Sequence, residues 1–433
     1  MSWQTAQLSQ GIAAVVRGVT FSQGDAAHES RDGFLPVLRA GNIGERLETE
    51  RDLVWIPKHF VSDRQRLRKD DIVMCTSSGS ALVVGKTAIA EDDFDGSWGA
   101  FNAVLRPTSA VVPRFLYYWL QSGEFKTWRD RQAKGANIQN IRHSDLSNLA
   151  VPLPAKSEQS RIVELLNEAD RLRRLRREAD AKAGRILPTL FERNFGKPFQ
   201  DERWPVLPLG EILSTMRNGT TADQNTNCKG YPVTRIETIS AGVINPRRVR
   251  YVDMPYEEAA RWLLQSGDIL FSHINSEAHI GKTAIYHGSP EFLVHGMNLL
   301  LLRPDVARVD PTYLFALLNT PEVRAFYRGR CKRAVNQASL NQKDIGSLPV
   351  PLPPLQAQKD FGTLSHQVEK VLGGESIAAE KLGELFELIL RQAFSGQLTA
   401  RWRESHMQEL VAEMNEQARA LNLPMANELE ALP

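Results

Sequence analysis

The stretch GKTAI occurs twice in the chain, at Gly85–Ile89 and at Gly281–Ile285. Gly-Lys-Thr closes a phosphate-binding loop only when another glycine stands five residues earlier, because the backbone N–H groups of that loop wrap the phosphates. Ser80 and Ser276 occupy this position in the two copies. The pattern therefore argues against a nucleotide site, and we interpret the pair as equivalent points of a duplicated domain.

The duplication extends in both directions from GKTAI at a nearly constant spacing. Gly85 and Gly281 are 196 residues apart, and Trp3 and Trp204 are 201 residues apart. A repeat of this length indicates that the folding unit is about 200 residues long and occurs twice in the chain. Further matches are Asp71-Ile-Val with Asp268-Ile-Leu, Arg106-Pro107 with Arg303-Pro304, 116–128 with 314–327, and Val151-Pro-Leu-Pro154 with Val350-Pro-Leu-Pro353.

Each copy has the same internal order. It begins with a β-rich block, predicted from short runs such as DIVMCTSS and KTAIYH that are rich in Val, Ile and Thr. One amphipathic helix comes near the end of the block, and the prolines of the VPLP segment then disfavour helix. A long helical stretch follows each block, at 157–195 and at 355–394.

The two long stretches carry apolar residues at alternating spacings of three and four, which is typical of a coiled coil. We predict that the two helices pair antiparallel; two amphipathic helices docked separately on their own blocks are the alternative. Each seam has one charged position in its middle, Arg176 and Glu375, and antiparallel pairing would bring these together. The other predicted pairing positions are Leu165, Leu172, Ile186, Leu364, Val371 and Leu385.

The composition is that of an ordinary globular protein, with 42% apolar and 24% charged residues. No apolar run approaches the roughly 20 residues that a membrane helix requires, and the first residues do not resemble a signal peptide. The three cysteines form neither a zinc pattern nor a disulfide framework. These features predict a cytoplasmic protein without a cofactor.

The net charge of +2 neither requires nor excludes nucleic-acid binding. Whether the protein binds nucleic acid therefore has to be judged from how its charges are distributed along the chain.

The ordered and repeated set of motifs resembles the specificity subunit of type I restriction-modification systems. Asp71-Ile-Val with the polar stretch 76–80 and GKTAI is similar to the family's Gly-Asp-Ile-Leu…Gly-x-x-Gly-Lys region, and Gly267-Asp-Ile-Leu matches it more closely. The block ends at 137–154 and 336–358 and the final FSGQLTARWR at 394–403 also resemble family segments. The resemblance covers about residues 1–404, although Asp70 replaces the family's glycine.

The resemblance implies an α+β fold in which two β-rich target recognition domains are separated by paired helices and related by a pseudo-twofold axis. Each domain would read one half of a bipartite sequence on double-stranded DNA. The helices would dock two methyltransferase (modification) subunits, and restriction/translocase subunits would complete the complex. The domains would be 1–155 and 201–354, the helices 156–200 and 355–404, and a helical tail of unknown role 405–433.

Candidate DNA contacts cluster just before each VPLP segment. Reading DNA requires cations for the phosphates, and amides, hydroxyls and guanidiniums for the base edges. A solvated helix end is the alternative explanation, but matched clusters in two copies favour a DNA face. The candidates are Arg129, Arg131, Lys134, Asn137, Gln139, Asn140 and Arg142, with Thr76, Ser78 and Lys86, in the first copy, and Arg328, Arg330, Lys332, Arg333, Asn336, Gln337, Asn341 and Lys343, with His273, Asn275 and Lys282, in the second.

The sequence carries no recognisable catalytic set. An amino-methyltransferase would carry Asp/Asn-Pro-Pro-Phe/Tyr, and the chain offers only Asn-Pro-Arg at 245–247. Four histidines between His273 and His295 lie close in sequence, but no cysteine or carboxylate stands at the usual ligand spacing, so we predict no metal site. We therefore expect a non-catalytic DNA-reading and scaffolding subunit. The alternatives are a stand-alone DNA-modifying enzyme with an unrecognised active site and a protein scaffold without a DNA role.

We predict that Arg176 and Glu375 interact across the paired helices and fix their register. The variants Arg176→Ala, Glu375→Ala and the double variant would be compared by denaturant unfolding. Side chains in contact are expected to show a coupling free energy of about 0.5–3 kcal/mol. Purely additive effects would mean that both side chains extend into water instead.

Overall fold

The computed structural model describes residues 3–80, 82–132, 139–200, 203–239, 242–276, 279–334 and 337–424, with the backbone alone at 139, 333, 334, 337 and 372–378. The chain divides into two compact units. Unit 1 combines Met1–Arg176 with Ala379–Pro433 and is therefore built from both ends of the chain. Unit 2 is the continuous segment Arg177–Ala378.

The β-rich part of unit 1 is made of short strands and short helices. The strands are β1 (Thr5–Gln7), β2 (Ala13–Arg17), β3 (Phe34–Leu38), β4 (Val54–Pro57), β5 (Ile72–Cys75), β6 (Ser77–Ser78), β7 (Thr87–Ile89), β8 (Ser97–Trp98), β9 (Asn102–Pro107), β10 (Gln139–Asn140) and β11 (Ala150–Pro152), and the helices are α1 (Pro113–Trp119), α2 (Gly123–Gln132) and α3 (His143–Ser147). The main sheet is antiparallel in the order β2-β9-β5-β7, and a second sheet has the order β4-β3-β8. Strand β5 is apolar throughout and buried throughout, as expected for a strand covered on both faces.

The chain continues through α4 (Lys156–Ala183) and α5 (Ile186–Phe195), which together form the first predicted long helical stretch with a break at Gly184. The second β-rich part then contains β12 (Val206–Pro208), β13 (Leu213–Asn218), β14 (Gln224–Asn225), β15 (Tyr231–Val233), β16 (Arg250–Val252), α6 (Tyr256–Ala259), β17 (Ile269–Phe271), β18 (Ile274–Asn275), β19 (Thr283–Ile285), β20 (Leu300–Pro304), α7 (Pro311–Leu318), α8 (Pro321–Arg328), β21 (Lys332–Ala334), β22 (Gln337–Ser339), α9 (Gln342–Gly346) and β23 (Pro349–Pro351). The last helices are α10 (Leu355–Phe394), α11 (Ala400–Ser405) and α12 (Met407–Leu421). Within the described ranges, no helix is long and apolar enough to cross a membrane.

The main sheet of unit 2 has the order β13-β20-β17-β19, which repeats the strand order of unit 1. GKTAI supplies the edge strands β7 and β19, and its glycine makes the turn that precedes each of them. The φ angles of Gly85 and Gly281 are 81° and 79°, a region that glycine enters without a steric penalty. Their N–H groups donate to the carbonyls of Cys75 (2.8 Å) and Ser272 (2.9 Å). The repeated motif is thus a strand-connecting turn, and the duplication predicted from it is present in the fold.

A buried ion pair occurs at the same place in both sheets. Arg106 donates from Nε (2.8 Å) and Nη2 (2.7 Å) to the two carboxylate oxygens of Asp71. Arg303 binds Asp268 in the same two-pronged way, with both distances 2.7 Å. Both carboxylates are 1% exposed, so the paired guanidinium compensates a charge that water cannot reach.

A buried glutamine attaches each long helix to its own β-rich part. In unit 1, Gln159 Oε1 accepts from the N–H of Val112 (2.8 Å), and its Nε2 donates to the carbonyl of Pro154 (2.8 Å). In unit 2, Gln358 makes the same two bonds, accepting from the N–H of Asp310 (2.9 Å) and donating to the carbonyl of Pro353 (2.7 Å). The amide therefore joins three segments: the long helix, the VPLP segment before it and the loop that enters α1 or α7.

Within unit 1, α4 and α10 pack in opposite directions. Near the start of α4, Glu158 accepts a hydrogen bond from Thr399, which lies beyond the end of α10 (2.6 Å). Further along α4, the Arg173 guanidinium lies 4.1 Å from the ring centroid of Phe386, which is earlier in α10. Ile162, Val163 and Leu166 of α4 share one apolar core with Phe386, Leu390 and Ala393 of α10.

Within unit 2, the contacts of α10 involve α5 and the β-rich part. The rings of Phe191 and Phe195 in α5 lie 5.7 Å and 5.4 Å from the ring of Phe361 in α10, between centroids. The same two rings also contact Tyr313 of α7, at 5.5 Å and 4.9 Å. This aromatic cluster packs the first half of α10 against the end of the first long stretch.

Most of the predicted pairing positions of the long helices lie outside the buried stripe, although the seam positions Ile162 and Phe361 are buried. Leu172, Ile186, Leu364, Val371 and Leu385 are exposed, Val371 by 77%, whereas Leu165 and Arg176 are half-buried. The Glu375 side chain lies outside the described residues. In unit 1 the buried positions include Leu166 and Phe386, each one residue after a predicted one, which rotates the stripe by about 100°. The offset arises because each helix covers its own β-rich part as well as the other helix.

The C-terminal segment belongs to unit 1, where Thr399 and Arg403 bind the buried carboxylate of Glu158. Glu158 also accepts from Trp3 Nε1 (3.1 Å) and Arg403 Nε (2.8 Å), so three distant parts of the chain converge on it. Helix α12 buries Leu410, Met414 and Ala418, which recur every four residues on one face. The residues after 404, whose role the sequence left open, therefore contribute a helix to the unit's core.

Replacing Gln358 with alanine is expected to destabilise unit 2 by about 2 kcal/mol, because a buried N–H and a buried carbonyl lose their partners. Gln356→Ala is the matched control, since Gln356 stands two residues earlier on the same helix and is exposed. It should change the free energy of unfolding by less than about 0.5 kcal/mol. Equal effects of the two substitutions in urea unfolding would contradict the structural role given to Gln358.

Candidate nucleic-acid interface

A short polar ribbon projects from the main sheet of unit 1. Strand β6 pairs antiparallel with β10, with Ser78 opposite Gln139 and Ser77 opposite Asn140. The N–H of Ile141 extends the ladder by donating to the carbonyl of Thr76 (2.9 Å). Two candidate groups that are far apart in sequence are thus brought together: the polar stretch after β5 and the run before the VPLP segment.

Unit 2 has a ribbon at the equivalent place, with one more described strand. Strand β22 pairs antiparallel with β18, placing Ile274 opposite Ser339, and also with β21. The N–H of Leu340 donates to the carbonyl of His273 (2.9 Å), which matches the bond between Ile141 and Thr76 in unit 1. Both units therefore place the two candidate groups side by side on a ribbon that starts one or two residues after a buried strand.

A polar cleft lies beside the ribbon of unit 1. It opens between the end of β2, the root of the ribbon and the start of α3, and no carboxylate appears among the described residues that line it. The lining is Arg17, Thr76, Ala100, Asn102, Ala103, Asn140, Ile141, Arg142, His143, Ser144 and Leu146. Guanidinium, amide and hydroxyl groups predominate in it, which are the donors and acceptors that contact phosphates and base edges.

Some polar groups of this cleft have structural partners. Thr76 Oγ1 donates to the carbonyl of Phe101 (3.1 Å), and His143 Nε2 binds the carbonyl of Val15 (3.0 Å), which fastens α3 to β2. Asn140 and Arg142 are exposed at the mouth of the cleft, so these two candidates face solvent. The structure therefore separates scaffold groups from groups that can contact a ligand.

The corresponding position in unit 2 holds a closed hydrogen-bond network. Asn218 is the last residue of β13. Its Nδ2 contacts His273 Nε2 (3.1 Å) and the carbonyl of Met297 (3.2 Å). Its Oδ1 accepts a hydrogen bond from Gln342 Nε2 (3.0 Å). Burial lowers the pKa of His273, against the opposing effect of the Phe271 carbonyl. The imidazole is therefore neutral at pH 7, with Nε2 as the acceptor.

The arginines of α2 and those at and just after the end of α8 differ in how many contacts they make within the protein. Arg129 binds Asp130 through Nε (2.8 Å) and Nη2 (2.6 Å), and its side chain crosses Gly85, where a Cβ would come within 2.3 Å of Arg129 Cδ. The Arg330 guanidinium lies 3.6 Å from the ring centroid of Phe326, which pre-orients it. Arg131, Arg328, Lys86, Lys332 and Lys343 are exposed, and Lys282 is half-buried.

Two of the predicted asparagines have local structural roles. Asn275 donates to Ser272 Oγ (3.1 Å) and accepts from the N–H of Ser276 (2.8 Å). Asn341 caps α9 by accepting from the N–H of Asp344 (2.8 Å), as asparagine commonly does at a helix start. Ser78 is half-buried and accepts from the N–H of Ser80 (3.1 Å).

Several candidates cannot be placed. Lys134, Asn137 and Asn336 lie outside the described residues, as do the side chains of Gln139, Arg333 and Gln337.

Sequence reasoning missed residues that the fold brings to the interface. Arg17 and Asn218 end the first strand of each main sheet, and Phe101 is 66% exposed at the root of the first ribbon. The duplication could have identified Arg17 and Asn218 as equivalent residues, because they stand at the 201-residue spacing that also relates Trp3 to Trp204.

The four histidines of unit 2 are possible metal ligands because they lie close in sequence. No group of three potential metal-binding side chains occurs in the parts of the chain that the structure describes. His295 is fully buried, and its Nε2 binds the carbonyl of Leu299 (3.0 Å). Burial lowers the pKa of His295 to about 4, although the Leu299 carbonyl opposes the shift. This histidine is therefore a neutral core residue.

Comparison with known proteins gives matches over nearly the whole chain. The family described as "Type I restriction modification DNA specificity domain" matches residues 2–182 and again residues 201–371. The type I restriction enzyme EcoKI specificity subunit of Escherichia coli K12 is 31% identical over 436 residues, covering 93% of this chain and 90% of the relative. A relative from Methanocaldococcus jannaschii, named as the MjaX specificity subunit, is 46% identical over 195 residues, 45% of this chain and 46% of the relative.

Among solved structures, the type I restriction-modification S subunit from M. genitalium has a similar fold. Its TM-score is 0.51 at 18% sequence identity, with 90% of this chain and 96% of that chain covered. At this identity the likeness concerns the fold alone.

The His295 pKa predicts that the stability of unit 2 falls in mild acid. The folded-state pKa of about 4 lies below the ordinary 6.5, so the unfolded chain binds the proton more tightly. Stability is therefore complete above pH 6.5 and is lost as the pH falls from 6.5 towards 4, by up to about 3 kcal/mol. Urea unfolding of His295→Gln should show a clearly smaller slope, with the remainder coming from His273, whose pKa is also lowered by burial, whereas the exposed His287→Gln should retain the full slope. A wild-type unfolding free energy that is flat between pH 7 and 4.5 would contradict the assignment.

Proposed function

We propose a function that starts from one established premise: the chain belongs to the family of type I restriction-modification DNA specificity proteins. It is the sequence-specific DNA-recognition subunit of a type I restriction-modification complex, and each unit reads one half of a bipartite target. The observation that carries this proposal is the polar ribbon, which occurs at the equivalent place in two sheets of the same strand order.

The ribbons and their neighbouring arginines supply both kinds of contact that DNA recognition requires. Exposed cations such as Arg131, Arg328 and Lys332 would neutralise phosphates, which supports affinity without sequence preference. Asn140 and Arg142 of unit 1 and the pre-oriented Arg330 of unit 2 would reach base edges, where amides and guanidiniums discriminate bases. Two ribbons, each in its own unit, would then read two short tracts.

The long helices are proposed to form an antiparallel coiled coil that separates the recognition domains by a pseudo-twofold arrangement. The opposed directions of α4 and α10 within unit 1, and the aromatic contacts of α5 and α10 within unit 2, support this geometry. The predicted seam of about 29 residues, at about 1.5 Å rise per residue, would extend about 44 Å. That length suits two half-sites separated by about one turn of duplex DNA or slightly more.

The chain is proposed to act without chemistry of its own. Methyl transfer would be carried out by two methyltransferase subunits docked on the helices, and cleavage by restriction/translocase subunits. The purified chain alone should bind DNA and transfer no methyl group, and activity should appear when the methyltransferase subunits are added. Methyl transfer by the chain alone would instead support a stand-alone modifying enzyme.

Arg131→Ala and Arg330→Ala are each predicted to weaken recognition of one half-site only, because the two arginines belong to different units. A base contact is expected to contribute about 1–3 kcal/mol, and a phosphate contact would reduce the salt dependence of binding by about one unit of slope. Binding would be measured with duplexes in which one half-site at a time is scrambled.

Arg171→Ala is the matched control for this pair. Arg171 is an exposed arginine on α4 whose Nε binds Glu168 (3.0 Å), away from either ribbon. Its loss should leave both half-sites unchanged. Equal losses on both half-sites for Arg131→Ala or Arg330→Ala would overturn the assignment of one half-site to each unit.

A further inference from the structure

The end of β2 places an arginine in the polar cleft of unit 1. Arg17 is the last residue of β2, where it pairs with Ala103 of β9, and it lines the cleft beside Thr76, Asn140 and Arg142. No hydrogen bond or ion pair joins its guanidinium to the described part of the chain, and the side chain is exposed. Arg17 therefore places a positive charge in the cleft that takes part in no ion pair within the described residues.

The backbone that carries Arg17 is held on both sides. Strand β2 pairs continuously with β9 from Ala13 to Arg17, and the carbonyl of Arg17 accepts from Gln65 Nε2 (3.1 Å). Two residues earlier, the carbonyl of Val15 is bound by His143 Nε2 (3.0 Å). A fixed backbone is what a two-pronged contact requires, because both N–H groups of the fork must be aimed at once.

The surroundings of the guanidinium are those of a base-reading site. Amide and hydroxyl side chains line the cleft and no carboxylate among the described residues competes for the arginine. Asn102 in the same lining is 1% exposed, and its Oδ1 has no hydrogen-bond partner in the described residues. Asn102 thus adds a buried amide to a lining that already carries guanidinium, hydroxyl and amide groups suited to base edges.

Comparison of the two units separates scaffold positions from specificity positions. The ion pairs of Asp71 and Asp268 and the glutamines Gln159 and Gln358 are the same in both units, and they hold the fold. The end of the first sheet strand differs. Asn218 is tied into a closed network in unit 2, where Arg17 stands open in unit 1. A position that varies within a constant frame is where two domains that read different sequences are expected to differ.

We propose that Arg17 determines specificity in unit 1 by donating two hydrogen bonds to O6 and N7 of a guanine in the major groove. An arginine fork matches this pair of acceptors, and no other base presents both. This inference rests on the proposed function, since it assigns one base within the half-site read by unit 1. Unit 2 has no equivalent guanine contact at this place, because the amide of Asn218 is engaged within the protein.

The test uses the full chain together with its methyltransferase subunits and a pool of duplex DNA with randomised positions. Selection with the wild type should give a bipartite sequence with a guanine in one half. Arg17→Gln should lose that guanine preference by about 5- to 150-fold and favour adenine there, because a glutamine amide matches adenine N6 and N7. Replacing the guanine by 7-deazaguanine should weaken the wild type, while Arg17→Gln should not respond to it.

Two controls separate base contact from charge and from folding. Arg17→Lys keeps the positive charge and loses the planar fork, so it should bind all sequences with the wild-type salt dependence while discriminating guanine less. Arg419→Gln removes an exposed positive charge from α12, outside the ribbons and the long helices, and should select the wild-type sequence. Thermal unfolding of the Arg17 variants should match that of the wild type, since the guanidinium makes no hydrogen bond or ion pair within the described residues.

The outcomes distinguish this proposal from the one it rests on. If Arg17→Gln weakens binding uniformly across sequences, Arg17 contacts a phosphate and the guanine assignment is wrong. If the variant selects the wild-type sequence, Arg17 does not contact the target, and the proposed function stands without it. If the wild-type complex selects no sequence, the proposed function itself fails.

Discussion

One buried glutamine amide near the start of each long helix fixes that helix to its own β-rich part, and the rest of the fold depends on this attachment. Gln159 and Gln358 each satisfy a carbonyl of the VPLP segment and an N–H of the loop that enters α1 or α7. Glutamine suits this role because it accepts and donates at once and spans the gap between the segments; a glutamate could not donate to the proline carbonyl. The direction of each helix is therefore fixed relative to its own sheet, and any change in that direction would leave two buried polar groups unpaired.

Because helices and sheets are attached in the same way in both units, the side chains of the ribbons and clefts can differ while the common fold is kept. The carboxylates of Asp71 and Asp268 are buried, bound by an arginine fork, and also bonded by the backbone N–H of Arg68 or Gln265, so the ends of the central strands are held alike in both units. The ribbons and clefts lie outside this frame. Thr76 in one unit stands where His273 stands in the other, with the same backbone ladder and different side-chain chemistry. A domain built in this way can change the side chains of its ribbon and cleft without changing its fold.

The sequence predicted the duplication and the common order of elements, because these follow from repeated motifs and local chain propensities. It singled out the polar segments of each copy, but it did not predict that they pair with each other as ribbons. It did not predict which face of the long helices is buried. Leu165 and Leu166, or Leu385 and Phe386, are adjacent apolar residues, and a spacing rule cannot decide between them when the helix must also cover a sheet. Nor did it reveal that Asn341 is a cap or that Arg17 reaches the cleft. The first depends on a turn that forms locally, and the second on strand pairing between residues that are distant in sequence.

The origin of unit 1 from both ends of the chain has a consequence for synthesis on the ribosome. Unit 2 is continuous and can complete its core as soon as residue 378 has emerged, whereas Glu158 remains without Thr399 and Arg403 until the last part of the chain is made. A carboxylate destined for burial therefore stays in water for most of translation, and the N-terminal sheet must wait, partly assembled, for the helices that complete it. Domains normally fold in the order in which they are synthesised, starting from the N-terminus. Here the nascent chain would finish its second half first.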